Sequence, residues 1–225
     1  MIQIINDDCL NALKGMPDNA VDYVITSPPY NIGRSRVTKS GQKAKYEHFT
    51  DKNPNYFKWS IEVVDELLRV SKNHVFYNVQ ANWTNKKDIY KLIGNYSNKL
   101  IQNFIWTKEH SSPASAHYAI SNSVEYILAL SNQNRIKGNK IYSKNHIHTI
   151  KRPERIKGHN AVMNKEIADY FVKNFTQENE TILDPFMGSG TTGISCVENN
   201  RNFIGIELSN EYCITAEKRI NEAIN

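Results

Sequence analysis

The stretch that decides the fold is Thr181-Ile-Leu-Asp-Pro-Phe-Met-Gly-Ser-Gly-Thr-Thr-Gly193. A short apolar run, Thr181–Asp184, reads as a buried strand. It ends on an acid and enters a glycine-rich turn. A helix is expected from about Thr191, where Ser and Thr side chains are available as caps. Gly188 and Gly190 allow the backbone to approach a ligand closely. Seventeen residues past Gly190, a second apolar run, Asn202–Ile206, ends on Glu207. Doubly wound sheets hold nucleosides with such a strand, glycine loop, helix, strand and acid, the second acid taking the ribose hydroxyls. The loop is not GxGxxG, and Asp184 would repel a pyrophosphate. An acid there suits a ligand carrying an ammonium or sulfonium. A tight turn with purely structural glycines is the competing reading.

Working outward, the other end of the chain holds a second strand-ending turn. Asp22–Thr26 runs directly into Ser27-Pro28-Pro29-Tyr30-Asn31. Each proline fixes its own φ and extends the residue before it, so the turn is stiff. It falls at the carboxyl end of a strand, where open α/β sheets bind ligands. Ser27 offers a hydroxyl, Pro28 a carbonyl and Tyr30 a ring face. Two fixed acceptors can hold both hydrogens of a nucleobase amine and aim its lone pair at a methyl donor. An aromatic ring can stack on an extruded base.

Between these turns strand and helix signals alternate. Further strands are expected at Gln3–Asn6, His74–Val79, Ile101–Trp106 and Val124–Leu130. Apolar stripes at helical spacing run through Phe57, Ile61, Val64, Leu67 and Leu68, then Met163, Ile167, Tyr170, Phe171 and Phe175, and lastly Tyr212, Ala216, Ile220 and Ala223. Seven strands alternating with helices predict one doubly wound, mostly parallel α/β sheet with helices on both faces.

Charge is unevenly spread. Residues 131–158 hold eight Lys/Arg against the single acid Glu154, and residues 31–52 hold six against Glu47 and Asp51. Together they carry fourteen of the 28 basic residues in a chain of net charge +5. Basic, loop-like stretches suit a phosphate backbone, or are simply solvated. Three widely separated cysteines, Cys9, Cys196 and Cys213, predict neither a disulfide framework nor a zinc site, and suit a reducing cytoplasm. His146 and His148 are the only closely spaced histidine pair and carry no metal prediction. No apolar run is long enough to span a bilayer, and Met1-Ile-Gln-Ile-Ile5 has no signal-like basic region.

The two turns together resemble the amino-methyltransferases of DNA. Asp184-Pro185-Phe186-Met-Gly188-Ser-Gly190 is similar to that family's S-adenosylmethionine motif. Ser27-Pro28-Pro29-Tyr30 is similar to its catalytic motif, and its place ahead of the cofactor motif resembles the β class. The resemblance implies a Rossmann-like methyltransferase sheet and further cofactor contacts at Glu207 and at Asp8 within Asp7-Asp8-Cys9-Leu10. Phe104–Lys108 and Ser123–Ile127 look like strands flanking the target base. The resemblance implies a division into a catalytic part (1–130), a short basic target-recognition segment (131–158) and a cofactor-binding part (159–225). Arg34, Arg36, Lys151, Arg152 and Arg155 become candidate DNA contacts. Duplex DNA, a second copy of the chain, and a companion restriction enzyme or second methyltransferase become candidate partners, with a cytoplasmic setting and no metal. Serine at position 27 generally accompanies cytosine N4 in this family, whereas the Tyr30-Asn-Ile-Gly33 continuation resembles adenine N6 enzymes. His159-Asn-Ala-Val-Met-Asn164 lacks the prolines common before the preceding helix. Two other classes remain open. Methyltransferases of RNA or protein glutamine generally carry the cofactor motif first. A silent DNA-binding module would need neither turn.

Overall fold

The structure is a computed structural model that describes residues 1–31, 52–109, 122–136, 138–139, 144–151, 153–154, 156 and 162–224. Along the chain these form β1 (Ile2–Asn6), α1 (Cys9–Gly15), β2 (Val21–Thr26), α2 (Tyr56–Val70), β3 (Ser71–Val79), α3 (Lys86–Asn95), β4 (Leu100–Lys108), β5 (Val124–Ser131), β6 (His146–Thr149), α4 (Lys165–Phe175), β7 (Thr181–Asp184), α5 (Thr191–Glu198), β8 (Asn202–Glu207) and α6 (Asn210–Ile224). All eight strands join one sheet, ordered β1-β8-β7-β2-β3-β5-β4-β6. Only β5 runs against its neighbours.

The sheet has one strand more than the sequence pattern predicts. The addition, β6, lies inside the basic 131–158 segment and pairs parallel to β4, Ile105 opposite His146 through Lys108 opposite Thr149. Its inward residues, Ile147 and Thr149, are buried, while His146 and His148 are exposed. Four residues with two histidines outward give too short an alternation to stand out from a polar loop. Trp106 donates its indole N–H to Thr149 Oγ1 at 2.9 Å, tying the strand to the sheet. Helices α1 and α3 are also additions to the predicted elements. Asp8 caps α1 by accepting from the N–H groups of Leu10 and Asn11.

Helices cover both faces. On one, Val63, Val64 and Leu67 of α2 pack with Leu13 of α1, Leu92 of α3 and Val75, Tyr77 and Val79 of β3. On the other, Phe171 and Phe175 of α4, Cys196 of α5 and Ile220 of α6 pack with Phe76, Phe104 and Phe203. Phe76 and Phe171 have centroids 4.5 Å apart, within an aromatic cluster that includes Phe104 and Phe175. Strand β3 is nearly continuously buried because it faces helices on both sides. The α2 stripe turns out to centre on Val63, Val64 and Leu67, leaving Phe57 and Ile61 only half-buried. Arg69 at the end of α2 donates to the carbonyls of Leu13 and Met16, closing the C-terminal end of α1 just before β2. No helix among the described residues is long and apolar enough to cross a membrane.

This topology positions the site. From β7 the chain passes through α5 to β8 on one side. From β2 it passes through α2 to β3 on the other. Strands β7 and β2 are neighbours, so the sheet order reverses between them. A crevice forms at the carboxyl ends of strands at such a point.

Candidate active site

Both sequence-predicted turns lie at the carboxyl ends of these neighbouring parallel strands, β2 and β7. They are joined at their bases by one buried carboxylate. Thr26, the last residue of β2, donates its hydroxyl to Asp184 Oδ1 at 2.7 Å. Thr192 of α5 donates to Oδ2 at 2.7 Å, and the Phe186 N–H reaches Oδ1 at 3.1 Å. Asp184 is 3% exposed. The sequence reading turns this acid toward a cationic ligand. In the structure both of its oxygens are taken up inside the protein, where they hold β2, the glycine turn and α5 in register.

Burial pushes the Asp184 carboxyl up to about 6, although the bonds from Thr26, Thr192 and Phe186 oppose the shift. The folded state therefore holds its proton more tightly than the unfolded chain, whose value lies near 3.8. The stability this proton contributes is full below about pH 4 and is lost as pH rises through about 6, roughly 3 kcal/mol over the window. Asp184→Asn should abolish that dependence. Denaturant melts at pH 4, 5, 6 and 7.5 are expected to show wild-type stability falling relative to the variant as pH rises. A constant difference would refute the assignment.

The glycine turn is shaped by two left-handed residues, Gly188 at φ +51° and Gly190 at φ +81°. Its start is fastened to β8 by the Met187 N–H on the Ile206 carbonyl at 3.1 Å. Glu207, at the end of β8, accepts from the Gly188 N–H at 3.0 Å through Oε2 and from the Ser209 N–H at 2.9 Å through Oε1. Each oxygen keeps a further lone pair for a ligand hydroxyl. Burial raises the Glu207 carboxyl above its ordinary value. Glu207 and Asp184 end the adjacent strands β8 and β7, and Asp8 lies two residues past the end of β1, the strand parallel to β8 on its other side. Pro185 is buried, and the half-buried Phe186 ring lies 5.7 Å from Trp59. The Thr191 hydroxyl, just past Gly190, is buried without a partner among the described residues.

The Ser27-Pro28-Pro29-Tyr30 turn is held from outside as well as by its prolines. Tyr56 donates its hydroxyl to the Pro29 carbonyl at 2.9 Å, and Asn85 donates to the Tyr30 carbonyl at 2.7 Å. Tyr30 Oη donates to Glu125 Oε2 at 2.8 Å. Asn78 Nδ2 lies 2.8 Å from Tyr30 Oη and 2.7 Å from Glu125 Oε2. Lys108 forms an ion pair with the other Glu125 oxygen. Burial, then the Glu125 charge, raises the Tyr30 hydroxyl well above its ordinary value, so it stays protonated. Tyr30 has one hydrogen, and it goes to Glu125. At 2.9 Å, the Ser27 hydroxyl must then be the donor toward Tyr30. This fixes the Ser27 rotor and leaves its oxygen as an acceptor. Asn78 approaches it only weakly, at 3.3 Å.

Asn78 is a functional candidate that the sequence reading missed, and Glu125 and Lys108 fall within the strands it placed beside the target base without giving either residue a role. The available signal was polarity out of place. Glu125 is 4% exposed and Asn78 2%, each inside a largely buried strand, where a polar group needs partners. Of the candidate DNA contacts, Lys151 is exposed, while Arg34, Arg36, Arg152 and Arg155 lie outside the described residues. His146 and His148 both bond Thr107 Oγ1 at 2.9 Å. All three cysteines are buried and unpaired, and burial pushes the Cys9 thiol up to about 12. Among the described residues no group of three His, Cys, Asp or Glu side chains could hold a metal ion.

A glycine turn and a rigid acceptor turn, side by side at the switch point of an α/β sheet, define a class of enzyme that moves a group from a nucleoside-bearing donor. The comparisons narrow the class. A family model for DNA methylases with N6 or N4 specificity matches residues 21–218. The type II methyltransferase M.HpaI of Haemophilus parainfluenzae is 25% identical over 250 residues, covering 99% of this chain and 75% of that one. The putative methylase YubD of Escherichia coli K12 is 27% identical, covering 98% and 90%. Among solved structures, the cytosine-N4-specific PvuII DNA methyltransferase superposes with TM-score 0.78 at 16% identity, covering 100% of this chain and 91% of that one, and so shares the fold. M1.HpyAVI, solved as a complex with SAM, superposes with TM-score 0.70 at 27% identity, covering 97% and 100%. The chain belongs to the N6/N4 family of DNA methylases.

Proposed function

We propose that the protein transfers a methyl group from S-adenosylmethionine to the N4 amine of a cytosine flipped out of duplex DNA. The observation carrying this reading is the Ser27 hydroxyl, whose hydrogen is committed to Tyr30 and whose oxygen is left to accept. S-adenosylmethionine, when bound, supplies a methyl group on a positive sulfur and makes a covalent enzyme intermediate unnecessary. The residues fit that cofactor. The left-handed glycines let backbone come close to it, Glu207 keeps lone pairs for ribose hydroxyls, the unpartnered Thr191 hydroxyl adds a polar atom, and Asp8 and Phe186 follow β1 and β7, the strands on either side of β8.

At the base, Ser27 Oγ takes one amine hydrogen and the Pro28 carbonyl the other, which favours a pyramidal nitrogen with its lone pair aimed along the crevice. The surplus proton leaves to solvent after transfer. Catalysis is then positioning and preorganised polarity. Target access requires extrusion from the duplex. The neutral hydroxyl also suits its surroundings. A carboxylate at position 27 would face Tyr30 and Asn78 beside the buried Glu125 charge, a costly placement.

The Tyr30-Asn-Ile-Gly33 continuation favours a second reading, N6 of adenine. The methyltransferase reading, whichever base is the target, assigns residues 1–130 to catalysis, 159–225 to the cofactor, and the basic 131–158 segment, with Lys151, Arg152 and Arg155, to target recognition, together with Arg34 and Arg36 from the earlier basic stretch. It also includes a second copy of the chain, or a companion enzyme, as partner. The deciding experiment incubates purified protein and labelled cofactor with plasmid DNA, digests the product to nucleosides and identifies the labelled one by mass spectrometry. N4-methyl-2′-deoxycytidine is expected. N6-methyl-2′-deoxyadenosine would overturn the base assignment alone, and 5-methyl-2′-deoxycytidine the mechanism.

A further inference from the structure

Trp83 is 85% exposed, more than any other large apolar side chain among the described residues. It sits between β3 and α3, at the carboxyl end of the strand next to β2. The loop carrying it is stiff. Asn82 Oδ1 accepts from the Thr84 N–H at 2.9 Å, the Thr84 hydroxyl at 2.6 Å and the Asn85 N–H at 3.2 Å. Asn85 Oδ1 accepts in return from the Asn82 N–H at 2.8 Å. The loop is also fastened to the acceptor turn. The buried Asn85 amide donates to the Tyr30 carbonyl at 2.7 Å. Lys86 Nζ lies 4.4 Å from the Trp83 ring centroid, and Lys86 and Lys87 are both exposed.

A large ring held in water forgoes the stabilisation that burial would give it, and burial here would cost little further ordering because the loop is already fixed. An exposed indole with one cation over its ring and a second exposed lysine next along the chain matches a surface presenting flat apolar bases between phosphates. We propose that Trp83 packs against the bases beside the extruded nucleotide while Lys86 and Lys87 face the adjoining phosphates. The loop would thereby register duplex DNA over the Ser27 turn. This rests on the DNA-methylating reading above and adds the surface that reads the duplex next to the target.

The test uses the full chain, plasmid DNA and labelled cofactor, with Trp83→Ala, Trp83→Phe and a Lys86→Ala/Lys87→Ala double variant. Trp83→Ala is expected to lower methyl incorporation at least about tenfold, and Trp83→Phe to restore most of it, since each stacked ring contributes about 1–3 kcal/mol. Cofactor affinity and melting temperature should stay at wild-type values. The lysine variant should flatten the dependence of log affinity on log salt by roughly one to two. Trp59 is half-buried and Trp106 3% exposed, so acrylamide quenching reports mainly on Trp83, and DNA should shield it. Wild-type methylation of DNA with Trp83 still quenchable in the complex, and full activity in Trp83→Ala, would overturn the inference. So would shielding that rises with protein concentration in the absence of DNA, which would make the ring a contact between copies. Failure of the wild type itself to methylate DNA would instead defeat the underlying reading, and this proposal with it.

Discussion

Replacing Ser27 with alanine is expected to lower the single-turnover methylation rate by about 10²- to 10³-fold, as removal of one preorganised polar contact to a developing charge does. Affinity for S-adenosylmethionine, followed by calorimetry, should change less than about twofold, because the residues proposed to hold the cofactor lie at the ends of β7, β8 and β1 rather than of β2. The loss follows from the direction of the hydrogen bonds. Glu125 takes the Tyr30 hydrogen, Tyr30 takes the Ser27 hydrogen, and the Ser27 oxygen remains as acceptor. Alanine removes that acceptor and leaves Tyr30, Asn78 and Glu125 bonded to one another. Glu125→Gln tests the same chain from its far end. An amide still accepts from Tyr30 but gives up the ion pair with Lys108, so its rate should fall between wild type and Ser27→Ala. Full activity in Ser27→Ala would remove Ser27 from the mechanism.

Gly190→Ala is expected to destabilise the protein by about 2–5 kcal/mol and to abolish measurable cofactor binding. Two independent costs add. A side chain at φ +81° adopts a left-handed conformation at about 1–2 kcal/mol. Its Cβ would also stand 2.9 Å from Ala216 Cβ and 3.2 Å from Ala216 Cα, forcing α5 and α6 apart for about 1–3 kcal/mol more. The displaced helix begins at the turn proposed to hold the cofactor, so binding is expected to fail together with stability. Gly94 in α3 is the control. Nothing lies within 4 Å of a Cβ built there, so Gly94→Ala should be neutral or stabilise by up to about 1 kcal/mol. Urea denaturation of both variants checks the contrast. Equal effects at the two positions would show that the turn tolerates a side chain.

Much of the fold was legible because its signals are local. The period of apolar residues, the proline pair and the glycines act within a few positions of themselves, so Thr181–Asp184, Asn202–Glu207 and the two turns are where local reasoning puts them. Signals failed where they were short or out of period. Strand β6 alternates over only four residues, and α3, whose buried positions are Ile89 and Leu92, has too narrow a stripe to announce a helix.

The sequence by itself determined which residue types were available at the two turns, and that each turn had to be rigid. Only the tertiary structure decided what those residues face. Thr26 and Asp184 are 158 positions apart, and Tyr30 and Glu125 are 95 apart. Each pair meets because of strand order: β7 lies beside β2, and β3 stands between β2 and β5. That order emerges from packing two helical layers onto one sheet, a property of the whole chain that no local window contains. Hence Asp184, legible as an acid at a ligand turn, also ties β2 to α5 inside the protein. The direction of the Ser27 hydroxyl was likewise set by a carboxylate two strands away, because a hydrogen bond is assigned by spatial neighbours and their single protons rather than by neighbours in sequence.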